Sequence, residues 1–208
     1  MTGQLAVREP TFKPPYDFGV IDPSVFEIID DIVSRQDNRR IDIVANSGHI
    51  KMPDNIKLIG AMADIVRLLD GIACENGADG IIPIRYSFDT KPVQPGYTQR
   101  GVGWHIDSSL KPHERSLIGA DVLMTPSLIE TDHPDSRKVQ RRILQASSQG
   151  SPRYLIESSV KKGLLAVHQP EDGTAVIIDG QFHSSPRNLG MQTLQRTWFR
   201  LNYIEKPA

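Results

Sequence analysis

The stretch Pro170-Glu-Asp-Gly-Thr-Ala-Val-Ile-Ile-Asp-Gly-Gln-Phe-His183 decides the fold of this chain. It begins with turn-forming residues, continues with an apolar run rich in β-branched side chains, and turns again at Asp179-Gly180. The apolar run predicts a buried strand, and the second turn predicts that His183 lies at the end of the next strand. The stretch therefore predicts antiparallel β-structure that presents a histidine.

The same pattern of short apolar runs and turn residues extends over the C-terminal part of the chain. From Gly80 onward, short runs of Ile, Val, Thr, Tyr and Phe are separated by Gly and Pro, which predicts an antiparallel all-β core. We expect strands at residues 80–88, 97–107, 116–125, 153–158, 163–168, 174–179, 181–184 and 194–204. A sandwich of such strands closed into a jelly roll would bury one face of each strand and leave an open end for a ligand.

Two helices are expected before this β-rich part. Asp22-Pro23 is a typical helix start, and apolar residues recur at helical spacing from there to about Ser34. A short strand is expected at 40–44, followed by a longer helix from Asp54 to Asn76-Gly77. The predicted fold class is therefore α+β and mainly β, with a jelly-roll core and N-terminal flanking helices.

Length and charge narrow the class of protein. At 208 residues the chain has room for one substantial core, so we expect a single domain with a helical flank at 1–79 and a β core at 80–204. The formal net charge of −1 gives no reason to expect nucleic acid as a partner. The chain has no apolar run of membrane-spanning length and one cysteine, Cys74, so we expect a soluble, cytoplasmic protein without disulfides. The oligomeric state does not follow from the sequence.

A His-x-Asp motif, His105-Ile106-Asp107, lies within the glycine-rich run Gly101-Val-Gly-Trp-His-Ile-Asp-Ser108. Side chains alternate along a strand, so His105 and Asp107 would point the same way. Two imidazoles and one carboxylate on one face of a metal ion are typical of mononuclear non-heme Fe(II) oxygenases, in which the opposite face stays open for reaction. We therefore predict His105, Asp107 and His183 as ligands of Fe(II).

Other histidines compete for these roles. His133-Pro134-Asp135 has the same spacing, but the proline cannot donate to a sheet ladder and the aspartate is suited to cap a following helix. His168 is the main alternative to His183. The remaining two, which are typical of surface or turn positions, are His49 and His113.

The last expected strand carries two arginines on one face, together with a tryptophan and an asparagine: Arg196, Trp198, Arg200 and Asn202. If this face points inward, the buried guanidinium groups require an internal carboxylate or an anionic ligand. If it points to solvent, the core is formed by the alternate residues Thr197, Phe199, Leu201 and Tyr203. The sequence leaves both orientations open.

Residues 80–204 resemble the Fe(II)- and 2-oxoglutarate-dependent oxygenases, whose His-x-Asp motif, distal His and following Arg lie on a double-stranded β-helix. The resemblance implies that Arg196 binds the distal carboxylate of 2-oxoglutarate, with Arg200 as the alternative or as the partner of a substrate carboxylate. It also implies Tyr86 as a further co-substrate contact, although a buried core position fits this tyrosine equally well.

The implied activity requires Fe(II), 2-oxoglutarate and O2, and releases succinate and CO2. It would hydroxylate or desaturate a small-molecule substrate, such as an amino acid or a natural-product intermediate. Within the same superfamily, the alternatives are a protein side-chain hydroxylase and a nucleic-acid dealkylase, whose Arg-x-Asn spelling is matched by Arg200-Leu201-Asn202. From other classes, a cupin-like isomerase or a non-catalytic binding module remains open.

The segment from Pro126 to Pro152 is the longest interruption of the β pattern. It carries several basic side chains on an expected helix after Asp135, which is typical of a solvated helix at the rim of the barrel. A lid over the substrate is the alternative.

Overall fold

The computed structural model describes residues 10–45, 53–99, 103–107, 114–147 and 152–208. The strands are β1 (Tyr16–Val20), β2 (Arg40–Val44), β3 (Ala78–Val93), β4 (Glu114–Ala120), β5 (Ser127–Glu130), β6 (Leu165–His168), β7 (Thr174–Ile178) and β8 (Leu194–Pro207). The helices are α1 (Pro23–Val33), α2 (Pro53–Ala61), α3 (Ala63–Glu75), α4 (Ser136–Ser147) and α5 (Arg153–Lys161). None of these helices is long and apolar enough to cross a membrane.

A six-stranded antiparallel sheet forms the centre of the fold, with the order β1-β7-β4-β8-β3-β2. The apolar run that predicted a buried strand is β7, and all five of its residues are buried. The long strands β3 and β8 pair from Ala78 opposite Pro207 to Val93 opposite Leu194. Strand β8 of this pair carries the two arginines whose position the sequence analysis considered, Arg196 and Arg200.

Helices α1 to α3 cover one face of the large sheet. Asp22 caps α1 as predicted, because its carboxylate accepts a hydrogen bond from the Ser24 amide at 2.9 Å and proline occupies the first turn. Buried side chains of α1 pack on the sheet, where the rings of Phe26 and Phe199 stack with centroids 6.0 Å apart. The expected second helix is two helices, since the regular pattern breaks at Met62 between α2 and α3.

A smaller sheet, formed by β5 and β6, covers the other side of the jelly roll. It is extended by isolated bridges that join Ser127 to His183 and His183 to His105. Helices α4 and α5 pack on its outer surface through a second apolar cluster that includes Val139, Ile143 and Ile156. The two histidines predicted as metal ligands, His105 and His183, therefore lie on the extension of this smaller sheet.

Three parts of the predicted fold need correction. Residues 153–158 were expected as a strand but belong to α5. The described residues of 97–107 form only single bridges at Thr98 and His105, and 181–184 likewise pairs through bridges. The large sheet is not confined to 80–204, because β1 and β2 from the N-terminal part form its two edges.

Candidate metal centre

The backbone of the smaller sheet holds the two histidines side by side. The amide of His105 donates to the carbonyl of His183 at 2.9 Å, and the reverse bond has the same length. On its other side the His183 segment pairs with β5, where the Leu128 amide donates to the Phe182 carbonyl at 2.8 Å. Directly paired residues in antiparallel strands point to the same face, so both imidazoles face the large sheet.

Each imidazole is oriented by a backbone carbonyl. The Nδ1 atom of His105 lies 2.8 Å from the Gly103 oxygen, and that of His183 lies 3.1 Å from the Gln181 oxygen. A carbonyl oxygen can only accept, so Nδ1 carries the proton in both rings and the lone pair is on Nε2. Both Nε2 atoms are therefore suited to bind a metal ion.

Asp107 completes the set. Its carboxylate oxygens lie 3.7 Å from Nε2 of His105 and 3.5 Å from Nε2 of His183, and one ligand atom from each of the three residues lies within 4.8 Å of the others. Ligand bonds of about 2.1 Å place adjacent donor atoms roughly 3 Å apart around one ion. A small inward movement of these side chains would satisfy that geometry.

The charge states suit a metal site. Burial lowers the pKa of His183 to about 4, although Asp107 opposes this shift, so the imidazole is neutral at neutral pH. Burial would raise the pKa of Asp107, but the charges of His183 and Arg200, with a smaller contribution from His105, lower it overall. The site thus offers a neutral imidazole at His183 and a carboxylate at Asp107, beside the imidazole of His105.

Arg200 holds the carboxylate of Asp107 from the side of the large sheet. Its guanidinium forms an ion pair with Oδ2 of Asp107 and also donates to Ser116 Oγ at 2.9 and 3.1 Å. It further donates to Asn202 Oδ1 at 2.9 Å, and Ser116 donates to the same oxygen. Arg200 therefore links the large sheet to the metal-binding face of the smaller one.

Arg196 lies on the same face of β8 and is 3% exposed. Its Nε atom donates to the carbonyls of Val122 and Leu123, at 3.2 and 2.9 Å, and its guanidinium donates to the side chain of Gln99. Gln99 in turn donates to the buried carboxylate of Asp89 at 2.8 Å. Leu123 has a φ of 54°, a sparsely populated conformation for leucine, and this turn directs its carbonyl at Arg196.

The structure shows the orientation of β8, which the sequence left open. The arginine-bearing face points to the cleft between the sheets, whereas Phe199, Leu201 and Tyr203 belong to the core under the helices. Neither face points to bulk solvent, because the large sheet is covered on both sides along this strand. The residues on the cleft side include Trp198, which packs with an apolar cluster between the sheets.

A cavity of about 80 Å³ lies at the centre of this arrangement. It is lined by two of the predicted ligands, by both arginines, and by apolar and hydroxyl-bearing side chains: His105, His183, Arg196, Arg200, Ile118, Trp198, Thr125, Ser184, Ser185 and Pro186. Thus five of the six predicted site residues, the three proposed ligands and the two arginines, lie at or around one cavity.

Tyr86 is the exception. It pairs in register with Leu201 and packs within the core under the helices, where its ring stacks on Phe88 with centroids 6.3 Å apart. Its burial raises the pKa of the phenol. Because neighbouring residues of a strand alternate faces, Tyr86 lies across the sheet from Arg200, and the co-substrate role expected for it does not fit this placement.

The competing histidines lie elsewhere. In the exposed His133-Pro134-Asp135 segment, the imidazole accepts a hydrogen bond from the Asp135 amide at 3.1 Å, as in a local turn. His168 lies on β6, opposite Ser127, and is not part of the cluster formed by His105, Asp107 and His183. His49 and His113 lie outside the described residues.

Sequence reasoning missed the residues that orient the two arginines. Ser116 and Gln99 come from separate segments, and only the pairing of β4 with β8 brings Ser116 opposite Asn202. Their signal was weak because single Ser and Gln residues occur throughout the chain. One feature of the sequence could have indicated Ser116. Polar residues occur at every second position, as at Glu114 and Ser116, along a strand that is otherwise rich in apolar residues.

No family model and no curated protein sequence matches this chain. Among solved structures, AviO1 from Streptomyces viridochromogenes Tue57 is 14% identical, with 100% of both chains covered and a TM-score of 0.51. Apo HygX from Streptomyces hygroscopicus is 12% identical, with 92% of this chain and 82% of that chain covered and a TM-score of 0.50. HygX has also been crystallised with iron and, separately, with nickel and 2-oxoglutarate.

A third structure, described as an oxidoreductase of the 2OG-Fe(II) oxygenase family from Burkholderia pseudomallei, is 12% identical, with 86% of this chain and 79% of that chain covered and a TM-score of 0.46. At such identities the likeness concerns the fold. The chain therefore has a mainly β, double-stranded β-helix fold with flanking helices, which it shares with AviO1 and HygX.

Proposed function

We propose that this protein is an Fe(II)- and 2-oxoglutarate-dependent oxygenase that hydroxylates or desaturates a small-molecule substrate. The observation that carries the proposal is the convergence of His105, Asp107 and His183, with both Nδ1 atoms engaged by carbonyls and both Nε2 atoms directed at the carboxylate. An iron ion held there would use O2 and 2-oxoglutarate to oxidise the substrate, with release of succinate and CO2.

Within this proposal, Arg196 binds the distal carboxylate of 2-oxoglutarate. Arg200 is already engaged by Asp107, and a second carboxylate on the same guanidinium would compete with the proposed metal ligand. Arg196 lines the same cavity and is held in place by the oxygens of Val122, Leu123 and Gln99. Its planar fork suits a carboxylate that enters from the metal side.

Arg200 has a different role in this proposal. By holding Oδ2 of Asp107 it fixes the rotation of the carboxylate, which leaves Oδ1 for the metal ion. It is a positioning residue for the metal ligand. HygX, which shares the fold and has been crystallised with nickel and 2-oxoglutarate, agrees with a site that holds a metal ion together with this co-substrate.

The proposal is tested by anaerobic addition of Fe(II) and 2-oxoglutarate to the metal-free protein. We expect a weak visible charge-transfer band, which His105→Ala should abolish because one of three ligands is lost. The matched control is His133→Ala, which removes the histidine of the other His-x-Asp segment and should leave the band intact. A band that persists in His105→Ala, or that disappears in His133→Ala, would show that the ligand set is wrong.

A further inference from the structure

A second cavity, which we call the outer groove, opens beside the metal-lined cavity. Its volume is about 650 Å³, which is within the usual range for pockets that bind small molecules. The two cavities share Ser184, Ser185 and Pro186, the three residues that follow His183. A molecule bound in the outer groove would therefore lie next to the candidate metal centre.

The walls of the outer groove expose large apolar side chains. Tyr97 is 67% exposed and Leu189 is 87% exposed, and the partly buried Trp104 lies between the groove and the outer apolar cluster. Large apolar side chains that are exposed around one cavity are typical of a binding surface. The outer groove therefore favours a ligand with a substantial hydrocarbon or aromatic part.

The loops that carry these side chains are fixed to each other. The amide of Gly96 donates to the Asn188 carbonyl at 2.8 Å, and the amide of Asn188 donates to the Tyr97 carbonyl at 3.0 Å. The fully buried side chain of Asn188 also donates to the carbonyl of Val93, at the end of β3, at 2.8 Å. The backbones of the two loops that carry Tyr97 and Leu189 are thus held in a fixed arrangement, which lowers the entropic cost of binding.

The charges in the outer groove favour one negative charge on the ligand. Arg153 and Glu157 form an ion pair at 2.8 Å and offset each other. Arg187 also lines the groove, and among the described residues no carboxylate lies within ion-pair distance of its guanidinium. The described lining of the outer groove therefore carries one net positive charge, at Arg187, which matches a ligand with a single negative charge.

We propose, on the basis of the proposed function, that the substrate is an apolar or aromatic monocarboxylate. Its hydrocarbon part lies against Tyr97, Trp104 and Leu189, and its carboxylate pairs with Arg187. This arrangement anchors the substrate at the outer end of the groove and leaves the rest of the molecule to extend past Ser184 and Ser185 towards the metal-lined cavity.

The test measures binding without any reaction. Metal-free protein is titrated with 3-phenylpropionate, its neutral amide 3-phenylpropionamide, and benzyl phosphate, and dissociation constants are measured by ligand-observed NMR. We expect the acid to bind about fivefold more tightly than the amide, as for a solvent-exposed ion pair, and more tightly than the phosphate. Arg187→Gln should weaken the acid to the level of the amide and leave the amide unchanged, and Leu189→Ser should weaken both.

The matched control is Arg67→Gln, which removes an exposed arginine of α3 that is paired with Asp64. This variant should keep the preference for the acid. Equal affinity for acid and amide, tighter binding of benzyl phosphate, or an unchanged preference in Arg187→Gln would overturn the inference.

The two proposals fail separately. If the charge-transfer band forms but the preference for the acid is absent, the inference about the substrate is wrong and the oxygenase proposal stands. If the preference depends on Arg187 but the band does not form, the outer groove binds monocarboxylates and the oxygenase proposal is wrong.

Discussion

His183 is a buried histidine whose charge state connects the candidate site to the stability of the protein. The folded protein keeps this imidazole neutral, because burial lowers its pKa to about 4. In the unfolded chain the same group has a pKa of about 6.5, so between these two values the unfolded chain binds more protons than the folded protein. The contribution of His183 is therefore fully present above pH 6.5 and is lost as the pH falls towards 4.

We expect the metal-free protein to lose about 2 kcal/mol of its free energy of unfolding between pH 7 and pH 5 because of His183 alone. Urea titrations at both pH values measure this loss, and His183→Gln serves as the reference because it retains every other titrating group. If the pH dependence of the variant equals that of the natural protein, His183 is not buried in its neutral form.

The two arginines of β8 should be separable by experiment. Arg196→Gln should weaken binding of 2-oxoglutarate to the metal-loaded protein by ten- to a hundredfold, because a charge-assisted contact is worth about 1.5 to 3 kcal/mol. Arg200→Gln should act first on metal affinity, because it releases Asp107. Titration of each variant with metal and then with 2-oxoglutarate distinguishes these effects. Unchanged co-substrate affinity in Arg196→Gln would transfer the carboxylate-binding role to Arg200.

At the scale of elements, the contact between β4 and β8 depends on a glycine. A Cβ atom at Gly119 would lie 2.6 Å from the ring of Phe199 and 3.3 Å from Cβ of Ala175. Gly119→Ala should therefore destabilise the protein by about 1 to 3 kcal/mol, as overpacking of a core does. Gly71→Ala, on an exposed position of α3 with open space around it, is the control and should be neutral or stabilising. Chemical denaturation of both variants measures the difference, and equal stabilities would contradict the tight packing at Gly119.

The elements also show what local patterns can and cannot predict. The helix α1 follows from its cap and its helical spacing, the strand β2 from alternation, and the strand β7 from an unbroken apolar run between two turns. The segment at 153–158 was predicted as a strand because Tyr154-Leu155-Ile156 is a short apolar run, whereas the four-residue spacing of Ile156 and Val160 places both on the apolar cluster of α5. Short runs of this kind are decided by tertiary packing and not by propensity.

At the scale of the whole molecule, the proposed ligands come from segments that are distant in the chain, so a bound metal ion should stabilise the complete fold. A ligand that binds only the folded state adds about 2.7 kcal/mol at a hundredfold excess over its dissociation constant. Thermal unfolding with and without Ni²⁺, used as a redox-stable substitute for iron, should show this gain. Asp107→Ala should abolish it and Asp135→Ala should retain it. Stabilisation that survives in Asp107→Ala would place the metal elsewhere.

The sequence predicted the fold class and indicated the proposed ligands. The ligands could be predicted because the spacing of His105 and Asp107 and the turn before His183 are local features. The partners of the two arginines could not be predicted, because Ser116, Gln99 and the turn at Leu123 meet them only through strand pairing and loop closure. Tyr86 illustrates the same limit. A shift of one residue in the pairing of β3 would move its side chain to the other face of the sheet, and the sequence does not give this pairing.

The two buried faces of β8 have a consequence for how the chain avoids misfolding. One face carries Arg196 and Arg200, and the other carries Phe199 and Leu201. A shift of one residue in the pairing of β8 with β3 would turn both guanidinium groups into the apolar core under the helices. It would also turn the side chains of Phe199 and Leu201 into the charged cleft. Each such error would cost several kcal/mol on both sides of the sheet at once. The contrast between the two faces of β8 therefore also disfavours a wrong register with β3.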